Sequence, residues 1–171
     1  MADIISAQEL GDGETVALIE LLFFAYRDFT TRPDAILATQ NMGRAHHRVL
    51  HFVNRRAGLT IATLLDILKI TKQSLNRVLK ELIEQGYIES RAGDSDRRQR
   101  LLYPTKRGAE LALDLALLQS KRITQALAET GPHHRDAIEA YLMALINPAE
   151  RSDIDRHIHT ASSKTKTDHP Q

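Results

Sequence analysis

The chain of 171 residues contains no cysteine. This absence excludes disulfides, thiolate zinc sites, thiol catalysis and cysteine-based redox sensing. No stretch approaches the roughly 20 consecutive apolar residues of a membrane helix. The first residues, Met1–Ile4, also lack the basic stretch and apolar run of a signal peptide. We therefore expect a cytoplasmic protein with no membrane partner.

The usual sequence signatures of enzymes are also missing. There is no Gly-x-Ser-x-Gly elbow, no phosphate-binding loop and no His-Glu-x-x-His motif. Asp94 and Asp96 lie two residues apart, as acid and base pairs sometimes do, but the surrounding arginines favour the ionised form of both. The sequence predicts no catalytic residue, no bound cofactor and no metal, so we expect a protein that is not an enzyme.

The net charge of +1 conceals an uneven distribution. Residues 44–107 hold 14 Lys and Arg against 6 Asp and Glu, a local charge of +8, whereas both flanking segments are net acidic. A basic middle between acidic ends is typical of a protein that binds a polyanion. The alternative is a solvated basic face with no partner.

Most of the sequence has the apolar spacing of helices. The first helix is predicted over 14–29, with a break at Pro33, and the second from about 42 to 56. A short helix follows Thr60, and a further helix covers 71–85. The mainly helical pattern, with few strands, places the chain in the mainly α (α+β) class.

The helix over 71–85 has two contrasting faces. Thr71 is a good N-cap, and five apolar residues form a broad core-facing stripe: Leu75, Val78, Leu79, Leu82 and Ile83. The opposite face carries Lys72, Gln73, Asn76, Arg77 and Lys80. Such long donors contact phosphates and base edges in DNA complexes.

Beyond Gly86 the pattern changes to two short strands, 87–90 and 101–103, joined by the basic loop 91–100. This segment is predicted to form a β-hairpin with a cationic tip. Helices follow from about 106 to 129 and after Pro132, and 148–171 is expected to be a mobile polar tail.

Three stretches, 60–71, 72–89 and 96–108, resemble the multiple antibiotic resistance regulator (MarR) family. Asp96, Arg98 and Arg100 fill the family's Asp-x-Arg-x-Lys/Arg wing pattern, and Thr105 and Gly108 fill its Thr-x-x-Gly pattern. With the flanking helices in the right order, the resemblance covers about residues 14–147.

The resemblance implies a winged helix-turn-helix with flanking dimerisation helices. Its divisions would be an N-terminal dimerisation helix and connector (1–41), the DNA-binding unit (42–104), the C-terminal dimerisation helices (105–147) and the tail. The implied function is a homodimeric transcriptional regulator that binds a pseudo-palindromic site in double-stranded DNA. The helix over 71–85 would enter the major groove, and the wing over 91–100 would reach the minor groove.

The resemblance also assigns roles to individual residues. The DNA-binding set is Thr71, Lys72, Gln73, Ser74, Asn76, Arg77, Lys80, Arg97, Arg98 and Arg100. Arg98 would enter the minor groove, and Asp96 would shape the wing by pairing with a nearby arginine. Lys80 could instead be a solvated surface residue, and Ser74 could only support the helix N-terminus.

Histidines and aromatic residues suggest further sites. His47 and His51 are four residues apart and share a helix face with metal-binding spacing, but no acidic third ligand is near them or His46 in sequence. The alternative is that these histidines pack between helices or touch the DNA backbone. Members of the resembled family often bind small aromatic ligands, so Phe23, Tyr26, His47 and His51 could line such a pocket. The alternative for the phenylalanines is ordinary core packing.

A winged helix can also serve as a protein-binding module without sequence-specific DNA binding. The donor-rich face and the basic wing favour DNA over this alternative. The two differ in salt dependence, because binding through about 6–10 phosphates weakens by roughly 10³–10⁵ between 50 and 200 mM salt.

Overall fold

The computed structural model describes residues 13–93 and 97–164. Over those ranges, the helices are α1 (Gly13–Ala38), α2 (Arg44–Arg55), α3 (Ile61–Leu68), α4 (Lys72–Glu84), α5 (Lys106–Thr130), α6 (Arg135–Leu145) and α7 (Arg151–Lys164). The strands are β1 (Leu59–Thr60), β2 (Ile88–Ala92) and β3 (Arg100–Pro104). Short 3₁₀ turns, Pro132–His134 and Pro148–Glu150, precede α6 and α7.

The first helix is longer than its sequence pattern predicts, because α1 continues through Pro33 to Ala38. A proline inside a helix removes one backbone donor. Here the hydroxyl of Thr30 donates to the carbonyl of Tyr26 at 3.1 Å, one turn before the proline. Pro33 and Leu37 are both buried, so packing offsets the missing hydrogen bond and the predicted break does not occur.

The core lies between α2, α3, α4, the sheet and the first half of α5. Val49, Leu64, Leu75, Leu102 and Leu115 contribute one residue from each of these elements and are fully buried. Burying a side chain of this size stabilises the fold by about 1.5–3 kcal/mol. The predicted apolar stripe of α4 is part of this core except for Ile83, which is 40% exposed.

The three strands form one antiparallel sheet in the order β1-β3-β2. β2 and β3 make the predicted hairpin, with Ser90 opposite Leu102. β1 is only two residues long and was not evident from the sequence; it pairs Leu59 with Leu102. Gly58 enters β1 with a φ of +89° and donates its N–H to Leu102 at 2.8 Å. A positive φ of this kind favours glycine.

The start of α5 is packed tightly against the start of β2. The hydroxyl of Thr105 accepts the N–H of Gly108 at 3.1 Å and donates to the carbonyl of Gly86 at 2.7 Å. A Cβ at Gly108 would lie 1.9 Å from the carbonyl oxygen of Tyr87. The Thr-x-x-Gly pattern is therefore a structural joint that fixes the hairpin to the following helix.

The C-terminal segment differs from the mobile polar tail expected over 148–171, because α7 forms within it. The side chain of Asn147 accepts the N–H of Ala149 at 3.1 Å, and Arg151 donates to the carbonyl of Ile146 at 2.9 Å. Ile154 and Ile158 stand four residues apart and supply a narrow apolar edge in an otherwise polar sequence. Two isoleucines are too weak a pattern to outweigh that polar composition in a sequence analysis.

Within the described part of the chain, no helix is both long enough and apolar enough to cross a membrane.

Candidate DNA interface

Helix α4 divides its side chains between core and solvent as its sequence predicts. Leu75, Val78, Leu79 and Leu82 are buried. All the predicted polar contact residues on α4 are exposed: Lys72, Gln73, Ser74, Asn76, Arg77 and Lys80. Lys80 is also 3.7 Å from Glu84, one turn further on. We call the exposed set, with Thr71, the reading face.

The N-terminus of α4 is fixed by two small hydroxyl residues. The Oγ1 atom of Thr71 accepts the N–H of Ser74 at 3.2 Å, and the Thr71 hydroxyl donates to Ser74 Oγ at 2.8 Å. This is an N-cap of the kind that typically stabilises a helix by about 1 kcal/mol. Ser74 therefore has a structural partner at the N-terminus of α4.

A contact that the sequence analysis missed joins α4 to α2. His46 Nε2 lies 2.6 Å from Glu81 Oε2, and His46 Nδ1 accepts the N–H of Gly43 at 3.1 Å. The backbone donor assigns the proton of the neutral ring to Nε2, which donates to Glu81. His46 thus packs between α2 and α4, which is the alternative to metal binding that the sequence left open for these histidines.

The turn between α3 and α4 is held by a second contact from α2. Arg48 donates through Nη2 to the carbonyl of Leu68 at 3.1 Å, at the last residue of α3. Lys69 follows in the left-handed conformation with a φ of +50°, and its N–H donates to Leu65. Left-handed residues commonly end helices. The helix-turn-helix is thus braced on one side by α2.

The wing extends from the sheet beside α4. Arg97, Arg98 and Arg100 are exposed. The N–H of Gly93 donates to Gln99 at 2.9 Å, which closes the hairpin across its tip. Asp96, predicted to shape the wing, lies outside the described residues.

Two arginines of the hairpin region have structural contacts that the sequence did not indicate. Arg91 pairs with Glu89, and its guanidinium lies 4.5 Å from the centre of the Tyr103 ring. Arg107 donates to the hydroxyl of Tyr87 at 2.7 Å and lies 4.3 Å from the centre of that ring. These cations brace the base of the wing, whereas Arg97, Arg98 and Arg100 lie exposed nearer its tip.

A cavity of about 450 Å³ lies between α1, α2 and α5. Three of the four predicted pocket residues, Tyr26, His47 and His51, line it together with Phe29, Thr30, Arg44, Arg48, Phe52 and Gln119. Phe23 does not line it and is 69% exposed, on a part of α1 that α2 does not cover.

The two histidines of this cavity are partly shielded from water. Burial lowers the pKa of His47, opposed in part by the charge of Asp34. Burial also lowers the pKa of His51, helped by the nearby charges of His47 and Arg55. Both rings therefore favour the neutral form, which can offer one donor and one acceptor.

In residues 13–93 and 97–164 there is no group of three or more His, Cys, Asp and Glu side chains arranged to hold a metal ion. His47 is buried and His46 is hydrogen-bonded to Glu81, so these neighbouring histidines lie in different surroundings.

The helix, turn, recognition helix and basic hairpin define a winged helix-turn-helix protein. A sequence model of the MarR family matches residues 40–99. The HTH-type transcriptional regulator PetP of Rhodobacter capsulatus is 48% identical over 133 residues, which cover 78% of this chain and 80% of PetP. The chain therefore belongs to the MarR family of DNA-binding transcriptional regulators, and this relative confirms the expectation that it is not an enzyme.

Solved structures agree with the fold. An operator-DNA complex of a MarR mutant from E. coli has a TM-score of 0.60 at 21% identity, covering 78% of this chain and 96% of that one. S. aureus MepR in its DNA-binding conformation has a TM-score of 0.65 at 15% identity, covering 75% and 95%. A SlyA-like regulator from Listeria monocytogenes has a TM-score of 0.62 at 18% identity and covers 100% and 99%.

Proposed function

We propose that this regulator binds a pseudo-palindromic operator as a homodimer, with α4 of each subunit in a major groove and each wing at a minor groove. The observation that carries the proposal is the reading face, a row of exposed donors on a helix whose opposite side buries Leu75, Val78, Leu79 and Leu82. A major groove about 12 Å wide admits such a helix. The exposed cations of the wing stand on the same DNA-binding unit.

In the proposed complex, the reading face and the wing have different tasks. Asn76 and Arg77 contact base edges, and Lys72, Gln73 and Lys80 contact bases or phosphates. Arg98 enters the minor groove, while Arg97 and Arg100 contact phosphates or brace the hairpin. Thr71 and Ser74 fix the helix N-terminus, whose N–H groups favour a phosphate.

The exposed apolar surface outside the DNA-binding unit supports the proposal that the protein is a homodimer. Large apolar side chains are exposed on α1 (Leu18, Ile19, Leu21, Leu22, Phe23, Phe24 and Tyr26), on α5 (Leu113, Leu117 and Ile123) and on α6 (Tyr141, Leu142 and Leu145). A monomeric protein rarely exposes so many together. A second copy of the chain would cover these faces, consistent with the divisions 1–41 and 105–147 as dimerisation segments.

The cavity between α1, α2 and α5 supports the proposal that a bound ligand controls DNA binding. It joins the proposed dimerisation helices to α2, which contacts α4 through His46 and Glu81. A small aromatic molecule bound against Tyr26, His47 and His51 would shift the two recognition helices relative to each other and release the DNA.

Selection of bound sequences from random duplex DNA, followed by salt titration on the recovered site, tests the proposal. We expect a two-fold symmetric site whose halves are one helical turn apart, and a steep decrease of affinity with salt. A matched control is the recovered duplex with one half-site scrambled. Recovery of no preferred sequence, or binding insensitive to salt, would favour a protein-binding module instead.

A further inference from the structure

A second cavity, of about 400 Å³, lies on the other side of α2, where α3 and α7 close it. Its volume is within the range of small-molecule pockets. His51 and Phe52 line both cavities, and their rings meet edge to face with centres 5.2 Å apart. These two rings therefore stand between two separate spaces, and the second space exists only because α7 is folded against the DNA-binding unit.

Contacts from α7 and the turn before it hold this wall in place. Arg56, at the end of α2, donates to the backbone carbonyl of His157, and its Nη1 lies 2.6 Å from the ring Nδ1 of the same residue. Lys69, at the end of α3, lies 3.5 Å from Glu150. The wall is thus anchored at the turn before α7 and at the middle of α7, once by each helix that it faces.

The interior of the second cavity combines an apolar body with a charged rim. Phe52, Ile67 and Ile154 supply apolar surface from three different helices. Of the acidic residues at the rim, Asp66 pairs with Lys69 at 2.7 Å. Glu150 pairs with the same lysine, and Asp153 pairs with Arg156.

Among the cations that line this cavity, Arg55 is the one whose charge has no partner in the described residues. Across residues 13–93 and 97–164 it has no ion pair and no side-chain hydrogen bond, whereas its neighbour Arg56 is engaged with His157. Burial and the charge of Arg55 both lower the pKa of Arg56, and the same charge helps to lower the pKa of His51. Arg55 is exposed to solvent where it lines the cavity, so this part of the lining can receive an anionic group.

We propose that the cavity between α2, α3 and α7 binds a small apolar molecule that carries one carboxylate, with the carboxylate on Arg55 and the apolar body against Phe52, Ile67 and Ile154. Arginine forms strong, bidentate hydrogen bonds with carboxylates. The apolar walls favour a hydrocarbon body. This site is distinct from the cavity between α1, α2 and α5, and its occupant would hold α7 against the DNA-binding unit.

Isothermal titration of the full chain with three probes of one chain length tests the head group. The probes are decanoate, 1-decanol and decylammonium, which share a ten-carbon body. We expect decanoate to bind at least about tenfold more tightly than either of the others, as a charge-assisted hydrogen bond allows. Equal affinities for the three, or no binding of decanoate, would overturn the proposal.

Variants locate the site. Arg55→Gln should weaken decanoate about tenfold and leave 1-decanol unchanged, whereas Arg135→Gln, an exposed arginine on α6, should change neither. Ile154→Asp should abolish decanoate binding while the protein stays folded, because α7 contributes no residue to the core. Loss of binding in Tyr26→Ala, with binding retained in Ile154→Asp, would place the probe in the other cavity and refute the assignment.

Discussion

Glu81 on the recognition helix is joined to His46 on α2 across 35 positions of sequence, with 2.6 Å between Oε2 and Nε2. The His46 side chain is 12% exposed and that of Glu81 39% exposed, so the contact is partly shielded from water. Since Nδ1 of the same ring accepts the N–H of Gly43, His46 joins the start of α2 to the middle of α4. This joint links the helix that carries the reading face to α2.

Glu81→Ala should lower the free energy of unfolding by about 1 kcal/mol, since it leaves the His46 ring without its acceptor. For a chain of this length, such a change lowers Tm by roughly 2–4 °C. Glu84→Ala is the control, because its pair with Lys80 is exposed and within one helix. Thermal unfolding followed by circular dichroism measures both. Equal shifts in the two variants would show that the His46 contact adds no stability.

Gly108→Ala should destabilise the protein by about 3 kcal/mol or more, because its Cβ would lie 1.9 Å from the carbonyl oxygen of Tyr87. The atoms that the added Cβ would meet belong to the backbone of Tyr87. The clash can therefore be relieved only if α5 moves away from the start of β2. Gly43→Ala is the control: nothing lies within 4 Å of the added Cβ. Chemical denaturation measures both free energies, and a tolerated Gly108→Ala would show that the joint is loose.

The parts of the fold that follow from local chemistry could be predicted from the sequence. Thr71 caps α4 by accepting a hydrogen bond from a residue three positions away. Val78 and Leu82 are four residues apart, and this helical spacing predicts that both lie on the buried face of α4. The hairpin was also predicted from local sequence, because two short strand patterns flank the polar loop 91–100. The extension of α1 beyond Pro33 was not, because burial of Leu37 by distant residues decides it.

The site was predictable only as a set of exposed side chains. The contact between His46 and Glu81 depends on how α2 crosses α4, and no short-range pattern encodes that crossing. The same holds for α7, since Arg56 and His157 are 101 positions apart. Tyr26 and His47 line one cavity, whereas Phe23, one turn before Tyr26, lies outside it; their role in binding a ligand stays a prediction.

Arg98→Ala should lower operator affinity by about 1–3 kcal/mol while the fold is unchanged, because the exposed wing arginine is proposed to enter the minor groove. It should also make the dependence of affinity on salt less steep, since the variant carries one cation fewer. Gel-shift titration at several salt concentrations measures both. Arg135→Ala, on α6, is the control and should match the parent protein. Parent-like affinity of Arg98→Ala would rule out the proposed contact.

Asn76→Ala and Arg77→Ala should each relax base preference at particular operator positions, by about 1–3 kcal/mol for each base that the missing side chain would have recognised. Both side chains are exposed on the reading face, so their removal should leave the core intact. Repeating the sequence selection with each variant measures the change, with Glu84→Ala as a control on the same helix. If both variants recover the parent site at every position, bases are read by other residues.

Lowering the pH below neutrality should destabilise the protein through His47 and His51. Burial lowers the pKa of each ring in the folded state, whereas the unfolded chain titrates near the ordinary value of 6.5. The unfolded state therefore binds more protons as the pH falls through 6.5, and the free energy of unfolding falls with it. The contribution is fully present above about pH 7 and disappears toward the lower pKa of the folded state.

Denaturant unfolding at a series of pH values from 7.5 to 5.5 measures this slope. His51→Gln removes one of these groups, while His47 and His157, whose pKa burial also lowers, remain. The slope should become shallower, whatever the effect of the variant on stability at pH 7.5. His133→Gln is the control, because that ring is exposed in the turn before α6 and the slope should stay that of the parent. A slope unchanged in His51→Gln would mean that its ring gains or loses protons equally in the folded and unfolded states, and the cavity between α1, α2 and α5 would then be open to water at that point.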